Sequence, residues 1–518
     1  MLFNSYAFLF VFLPVTLLGY EIAGRFGRRA VIGWLALASL GFYGYWKPAF
    51  LVLLVGSIAV NYVAAGLISR QIPNRVAPRV WLVLAITANL ATLGYFKYCF
   101  PMLNFTTAAL RLGRHWQDVL LPVGISFFTF TQTAYLVDLY QGVAKHQDIP
   151  SYVLFVTFFP HLIAGPILHH KEMMPQFQED RPYRLRANDL AVGFSWFIMG
   201  LAKKTLLADS FAPIANAAFA YHGVLPAPAA WGGMVCYALQ LYFDFSGYSD
   251  MALGLARMFS INFPLNFSSP YKARNITDFW QRWHMTLTAY ITDYLYTPLQ
   301  IKISAWRMAH GKKVSRKAQS TPGGFASMVA FPTLFTMFIA GIWHGAGLQF
   351  LVFGLMHGTF LTINHGWRLL RHKSGEPAPV PAAIAWVRHA AGVVVTFVCV
   401  LTTLAFFRAA SLGQGAGMVG SMAGLHGFGR GLAGVPRLAT TDIAMMVGGL
   451  VIVWGLPNTQ QILSRFKPAL RLGAADMDSL PKRLLWAPRL SWMLALGVVF
   501  FVALVHLEDP STFLYFQF

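Results

Sequence analysis

Long apolar runs, separated by short polar or basic clusters, divide this chain from end to end. Residues 1–22, 30–46, 49–68 and 80–96 are each apolar over a length that crosses a hydrocarbon layer about 30 Å thick, at about 1.5 Å per helical residue. They predict four spans. The runs at 119–141 and 150–168 are less regular. Pro160 and Gly165-Pro166 interrupt the second, and such breaks are tolerated at membrane depth where the backbone is enclosed by protein. A broken or re-entrant element is therefore predicted near 160–166. Further spans follow at about 189–213, 231–257, 325–345, 348–367, 385–407, 440–456 and 487–506. Segment 275–299 differs. Its Trp280, Trp283, Leu287, Tyr290, Ile291 and Tyr294 recur near helical spacing among polar residues, predicting an amphipathic helix that lies at an interface or plugs a cavity. The pattern is that of an all-α polytopic membrane protein with about 11–13 membrane helices plus re-entrant or interfacial ones.

Composition agrees. Of 518 residues, 56% are hydrophobic and 11% charged, against about 25% charged in a soluble domain. The net charge of +21 comes from clusters between apolar runs, where the positive-inside rule places them. No basic face with interleaved aromatics points to nucleic acid. Arg25, Arg28 and Arg29 follow the first run; Arg70, Arg75 and Arg79 follow the third. This alternation predicts an N-terminus outside and these loops in the cytoplasm. Met1 to Tyr20 has no positive charge ahead of it and no small-residue cleavage site, so it reads as a first span, not a signal peptide. The loop with Lys302, Arg307, Lys312, Lys313, Arg316 and Lys317, and the cluster Arg368, Arg371 and Lys373, are predicted cytoplasmic. The Pro/Ala-rich stretch 376–383 reads as a linker, the Gly-rich 411–435 as an outside loop, and 513–518 as an interfacial tail. Cys99, Cys236 and Cys399 form no CxxC pair and read as small buried hydrophobes. No internal repeat is visible.

Two histidines stand beside tryptophans, His284 in Trp283-His284 and His344 in Trp343-His344-Gly345. An ionisable group in a membrane segment is a functional candidate by default, and histidine is suited to moving protons near neutral pH. A core histidine bonded to a carbonyl is the alternative for each. Glycines at 341, 345 and 347 would let a ligand approach the backbone near His344. Asp244 and Asp250, six residues apart, lie roughly 600° apart around a helix and do not share a face. They read either as groups satisfied at a helix break around Gly247 or as substrate-site residues. His169, His170 and His310 lie in polar stretches and read as solvated. No GxSxG elbow, Walker A loop or dinucleotide fingerprint is present.

The ordered fragments Leu121-Pro122-Val123-Gly124-Ile125-Ser126-Phe127, Phe159-Pro160-His161-Leu162-Ile163-Ala164-Gly165-Pro166, Gln240 through Ala252, Phe279-Trp280-Gln281-Arg282-Trp283-His284, Asp293-Tyr294-Leu295-Tyr296 and Trp343-His344-Gly345 resemble the membrane-bound O-acyltransferase (MBOAT) family. They most resemble its alginate O-acetylation branch. The resemblance implies helices around a central funnel or tunnel, with membrane helices at 1–110, a catalytic core at 111–370 and C-terminal membrane helices at 371–518. It implies catalytic His344 and His284, with Asp244, Tyr248, Asp250, Arg282, Trp283 and Trp343 as substrate-binding candidates. It implies acetyl transfer from cytoplasmic acetyl-CoA, a donor substrate and not a bound cofactor, toward an extracytoplasmic polysaccharide or a periplasmic SGNH-type partner. His344 would act as general base, while His284 or a nearby polar group would orient the carbonyl or stabilise its oxyanion. The sequence departs from that branch where Thr297-Pro298-Leu299 runs into Gln300-Ile301-Lys302, and at His169-His170-Lys171. D-alanyl transfer from a carrier-protein thioester and a transporter or channel without chemistry are the alternatives.

Overall fold

A computed structural model describes residues 1–69, 76–113, 115–117, 119–179, 182–373, 381–429, 438–473, 477, 480–508 and 514. Arg70, Arg75, the linker residues 376–380, the end of the Gly-rich stretch and the tail apart from Leu514 lie outside these. Among the described residues the regular elements are all helices, with one isolated bridge between Pro264 and Leu470. Five helices are long and apolar enough to cross a membrane: Pro48–Ser69, Ala77–Ala109, Ala187–Ala220, Pro322–His344 and Ala382–Arg408. Phe8–Gly24, Thr440–Gly455 and Leu490–Val505 are shorter apolar helices. This is a multi-pass membrane protein. The chain forms two compact units, one from Met1–Leu206, Asp244–Leu265 and Pro457–Gln517, the other from Leu207–Phe243, Asn266–Leu456 and Phe518.

In the first unit, α2 (Arg28–Gly44), α3 (Pro48–Ser69) and α4 (Val76–Gly94) follow the predicted apolar runs closely, whereas α1 (Leu13–Gly24), preceded by a π-helical turn at Phe8–Phe12, starts well inside the run 1–22. Gly27 opens α2 at φ 92°, a left-handed turn that suits glycine. Asn61 and Asn89 satisfy each other across α3 and α4, each side-chain amide N–H donating to the other's Oδ1, at 2.9 and 2.7 Å, so neither polar group is left bare in an apolar layer. The interruption predicted near Pro160 is present. A helix ends at Thr157, a four-residue turn of helix covers Phe159–Leu162, and irregular chain leads to His170. This stretch is buried, and His161 Nε2 lies 3.0 Å from the Phe155 carbonyl oxygen. His169 and His170 are buried as well, at 2% and 7% exposure, which overturns the solvated reading. Asp138 Oδ2 lies 3.1 Å from His170 Nδ1, a partner invisible to local composition. His310 is exposed as expected.

Helices α5 (Ala187–Ala202) and α6 (Ala227–Met258) press together through glycine. A Cβ on Gly200 would lie 2.6 Å from the Gly247 carbonyl oxygen, and one on Gly193 2.7 Å from that of Gly254. The two glycines on each helix are seven residues apart, two turns along one face. Small residues at such a crossing let backbones meet closely inside a membrane. Helix α6 runs unbroken through Gly247, so the break expected there does not exist; that glycine serves close approach instead.

In the second unit, the amphipathic helix expected over 275–299 is cut in two. Helix α7 (Ile276–Trp280) ends in a turn, and α8 (Met285–Ile291) begins after His284, whose φ of 45° and ψ of 52° are left-handed. Helices α9 (Phe331–His344) and α10 (Leu348–Lys373) form a tight hairpin, against which α11 (Ala382–Arg408) packs. A Cβ on Gly354 would lie 2.3 Å from the Met337 carbonyl oxygen and 2.9 Å from the Gly341 Cα. The hairpin therefore requires glycine at its crossing.

Candidate active site

His284 is built into a small hydrogen-bonded frame. Asn275 caps α7 by accepting from Asp278 N. Arg282 turns back on Asp278 at 2.6 Å and donates to the Ser268 carbonyl at 3.2 Å. The chain at 266–268 is zipped to the turn by Met285 N donating to the Asn266 carbonyl (2.9 Å) and Ser268 N donating to that of Arg282 (3.0 Å). The Asn266 side chain then fixes the imidazole. Its Oδ1 accepts from Thr286 N at 3.4 Å and Thr286 Oγ1 at 2.9 Å. A backbone N–H only donates, so the atom facing it is the amide oxygen. His284 Nδ1, 3.0 Å from that oxygen, must carry the proton of the neutral ring, which leaves the lone pair on Nε2. A left-handed non-glycine residue costs about 1–3 kcal/mol and persists where the surroundings impose it; here Asn266 and the zipped backbone do so. The α7–α8 segment is not one of the long spans. His284 is 2% exposed, and burial pulls its pKa from 6.5 to about 3, holding it neutral.

His344 is the last residue of α9 and 8% exposed. Phe353 of α10 stands edge-on to its ring at 5.6 Å, Phe407 of α11 at 5.0 Å, and Trp343 lies at 4.7 Å. Gly345 ends the helix where a Cβ would strike the Phe350 ring. Three helices thus hold one imidazole in an aromatic cup. A third buried histidine, His357, lies one turn beyond Phe353 on α10 and contacts Trp280 of α7 at 3.3 Å. It falls inside the apolar run 348–367. His357 is flanked by Met356 and Gly358, and Asn266 by Leu265 and Phe267, so in each case a polar side chain interrupts a locally apolar context.

The other candidates divide by unit. Arg282, Trp283 and Trp343 belong with the two histidines in the second. Arg282 is engaged with Asp278. Trp283 stacks on Phe279 at 5.7 Å and meets Phe267 edge-on at 5.1 Å. Asp244, Tyr248 and Asp250 belong to the first unit. Asp244 Oδ1 lies 2.6 Å from Lys204 Nζ, with 2% and 1% of the side chains exposed. Asp250 Oδ2 lies 2.6 Å from Lys203 Nζ and accepts from Thr459 Oγ1 at 2.8 Å. Tyr248 stacks on Phe3 at 4.7 Å. The two lysines are inside the continuous helical stretch Ala187–Ala220.

A separate cavity of about 360 Å³ in the second unit is lined by Tyr296, Gln300, Arg316, Gln319, His365 and Arg368. It gathers basic residues predicted for the cytoplasmic side and no carboxylate. Among the described residues, no three His, Cys, Asp or Glu side chains gather into a metal site.

Residues 76–308 match the family model described as MBOAT, membrane-bound O-acyltransferase family. The chain is 38% identical over 458 residues to the peptidoglycan O-acetyltransferase of Helicobacter pylori, covering 82% of this chain and 80% of that protein. It is 31% identical over 539 residues to the probable alginate O-acetylase AlgI of Azotobacter vinelandii, covering all of both. The teichoic acid D-alanyltransferase of Streptococcus thermophilus matches at 28% over 302 residues, 56% of this chain and 69% of that one. These relatives leave no place for a transporter without chemistry. The chain belongs to the membrane-bound O-acyltransferase family and is an O-acyltransferase.

Proposed function

We propose that this enzyme, seated in a bacterial inner membrane with its N-terminus outside, takes an acetyl group from cytoplasmic acetyl-CoA. It delivers that group for O-acetylation of an extracytoplasmic polysaccharide, directly or through a periplasmic SGNH-type partner. The observation that carries this reading is the enclosure of His344: a helix-terminal imidazole among three aromatic rings, in a chain whose long relatives are named O-acetylases of alginate and peptidoglycan.

The neutral His344 ring takes the proton of an acceptor hydroxyl. The oxygen attacks the thioester carbonyl, a C–O bond forms, the C–S bond breaks, and CoA leaves as thiolate. The proton on His344 returns to solvent or to that thiolate. General-base help of this kind contributes about 10²–10⁴-fold, and holding donor and acceptor together adds the proximity term. His284, with its proton on Nδ1 and its lone pair on Nε2, acts as an acceptor that orients the attacking hydroxyl. Neighbouring donors stabilise the oxyanion. The cavity with Arg316 and Arg368 takes the CoA phosphates. Asp244, Tyr248 and Asp250 are acceptor-binding groups of the first unit.

The test is acyl turnover by purified protein in nanodiscs, with radiolabelled acetyl-CoA and release of CoA as readout. Wild type turns over and His344→Ala, folded and inserted, does not. Silence of wild type with acetyl-CoA, but turnover of a D-alanyl carrier-protein thioester, would replace this reading with the D-alanyl one suggested by the teichoic acid relatives.

A further inference from the structure

We infer that His357 is a positioning residue: a junction of fixed hydrogen-bond direction that sets the His284-bearing segment against the helices that cup His344. The inference rests on the reading of those two histidines as the acyl-transfer centre.

The direction follows from the two ends of one chain of bonds. Trp280 Nε1 lies 3.3 Å from His357 Nδ1, and an indole nitrogen only donates. His357 Nδ1 must therefore accept, and the neutral ring carries its proton on Nε2. That nitrogen lies 3.0 Å from Thr403 Oγ1. The Thr403 hydroxyl in turn donates to the Val400 carbonyl oxygen at 2.7 Å, and a carbonyl only accepts. Both ends point the same way, so one tautomer fits and the ring has neither a free base nor a spare proton to offer. The three side chains are buried, at 8%, 1% and 0% exposure. Phe279 lies nearly parallel to the imidazole, its ring centre 6.2 Å away.

The junction's place in the fold gives it consequence. His357 is four residues from Phe353 on α10, and Thr403 is four residues from Phe407 on α11. Each pair sits one turn apart on one helix face. Phe353 and Phe407 are the two rings that stand edge-on to His344. The same faces of α10 and α11 therefore hold His344 through an aromatic pair and grip Trp280, four residues before His284, through a polar pair one turn away. A hydrocarbon pair could pack there but would not fix where Trp280 stops.

The variants are Thr403→Val, Thr403→Ser, Trp280→Phe and the double Trp280→Phe/Thr403→Val, in the full-length protein in nanodiscs. Steady-state turnover and amide hydrogen exchange of 276–291 are both measured. Misplacement of reacting groups by about 1 Å costs about 10²-fold. Thr403→Val, the closer match in shape, lowers kcat by that order with KM for the thioester held, and exchange in 276–291 rises. Thr403→Ser, which keeps the hydroxyl, restores most of the rate. The double variant is no worse than the poorer single one, because either change already breaks the chain. Equal activity of Thr403→Val and wild type, or additive losses with kcat and KM moving together, would overturn the inference. Silence of wild type with every donor would sink the acyl-transfer reading instead, and the exchange data would still decide whether the junction holds the segment.

Discussion

Asn266 Oδ1 meets His284 Nδ1 at 3.0 Å while also accepting from both the backbone and the hydroxyl of Thr286. One amide oxygen therefore selects which nitrogen of the imidazole keeps its lone pair. Replacing it by a carboxylate, Asn266→Asp, stabilises the imidazolium and raises the His284 pKa from its buried value. A neutral acceptor is then lost sooner on acidification, so the acid limb of kcat/KM moves to higher pH. Superposable wild-type and variant profiles would show that His284 does not titrate in turnover. The same burial has a stability sign. Between about pH 6.5 and 3 the unfolded chain binds a proton that folded His284 refuses, so wild-type stability falls as pH falls through that window.

The Lys204–Asp244 pair is almost wholly enclosed. Removing one partner leaves the other charge buried without it, and Asp244→Ala or Lys204→Ala costs about 3–5 kcal/mol. The double Lys204→Met/Asp244→Leu, which removes both charges and keeps volume, recovers most of the loss. Thermal unfolding in one detergent across the four proteins measures it. A double variant as weak as the poorer single one would mean that the site needs charge for something other than mutual neutralisation.

Gly354→Leu forces a side chain into the Met337 carbonyl and Gly341. Overpacking costs about 1–3 kcal/mol, and the α9–α10 hairpin must open to admit it. Because His344 ends α9, turnover should fall further than stability alone explains. The check is residual activity at a temperature where circular dichroism shows the variant folded. Full activity there would show that the crossing does not set His344.

Arg316 and Arg368 line a cavity without a carboxylate. If this cavity takes the CoA phosphates, Arg368→Glu raises KM for acetyl-CoA by about tenfold or more, the loss of one charge-assisted contact, and leaves kcat in place. The effect shrinks with salt and is absent for acetyl-pantetheine, which lacks the phosphates. Equal sensitivity to both donors would place the phosphates elsewhere.

The spans were legible because the membrane requires long apolar helices, and α2, α3 and α11 lie within about three residues of their predicted bounds. The Pro160 interruption was legible for the same reason: proline and glycine act locally. The cut at His284 was not, since its left-handed backbone is imposed by Asn266, far back in sequence. Gly247 looked like a break because glycine in an apolar run has two uses, and only the facing Gly200 tells them apart. His170 looked solvated because its partner Asp138 lies on another helix. Tryptophan-histidine pairs drew attention to His284 and His344, whereas His357, without such a neighbour in sequence, owes its Trp280 contact wholly to folding.

Lys203 and Lys204 emerge from the ribosome roughly forty residues before Asp244 and Asp250, the carboxylates that neutralise them. During that interval Lys203 and Lys204 sit in the 187–220 helix without those two carboxylates, which makes it a poorer substrate for lateral release from the translocon. It becomes a good one when α6 arrives and the pairs close. The order of synthesis thus makes these helices a unit of insertion, and a biogenesis intermediate arrested between them should remain accessible to water-soluble lysine reagents.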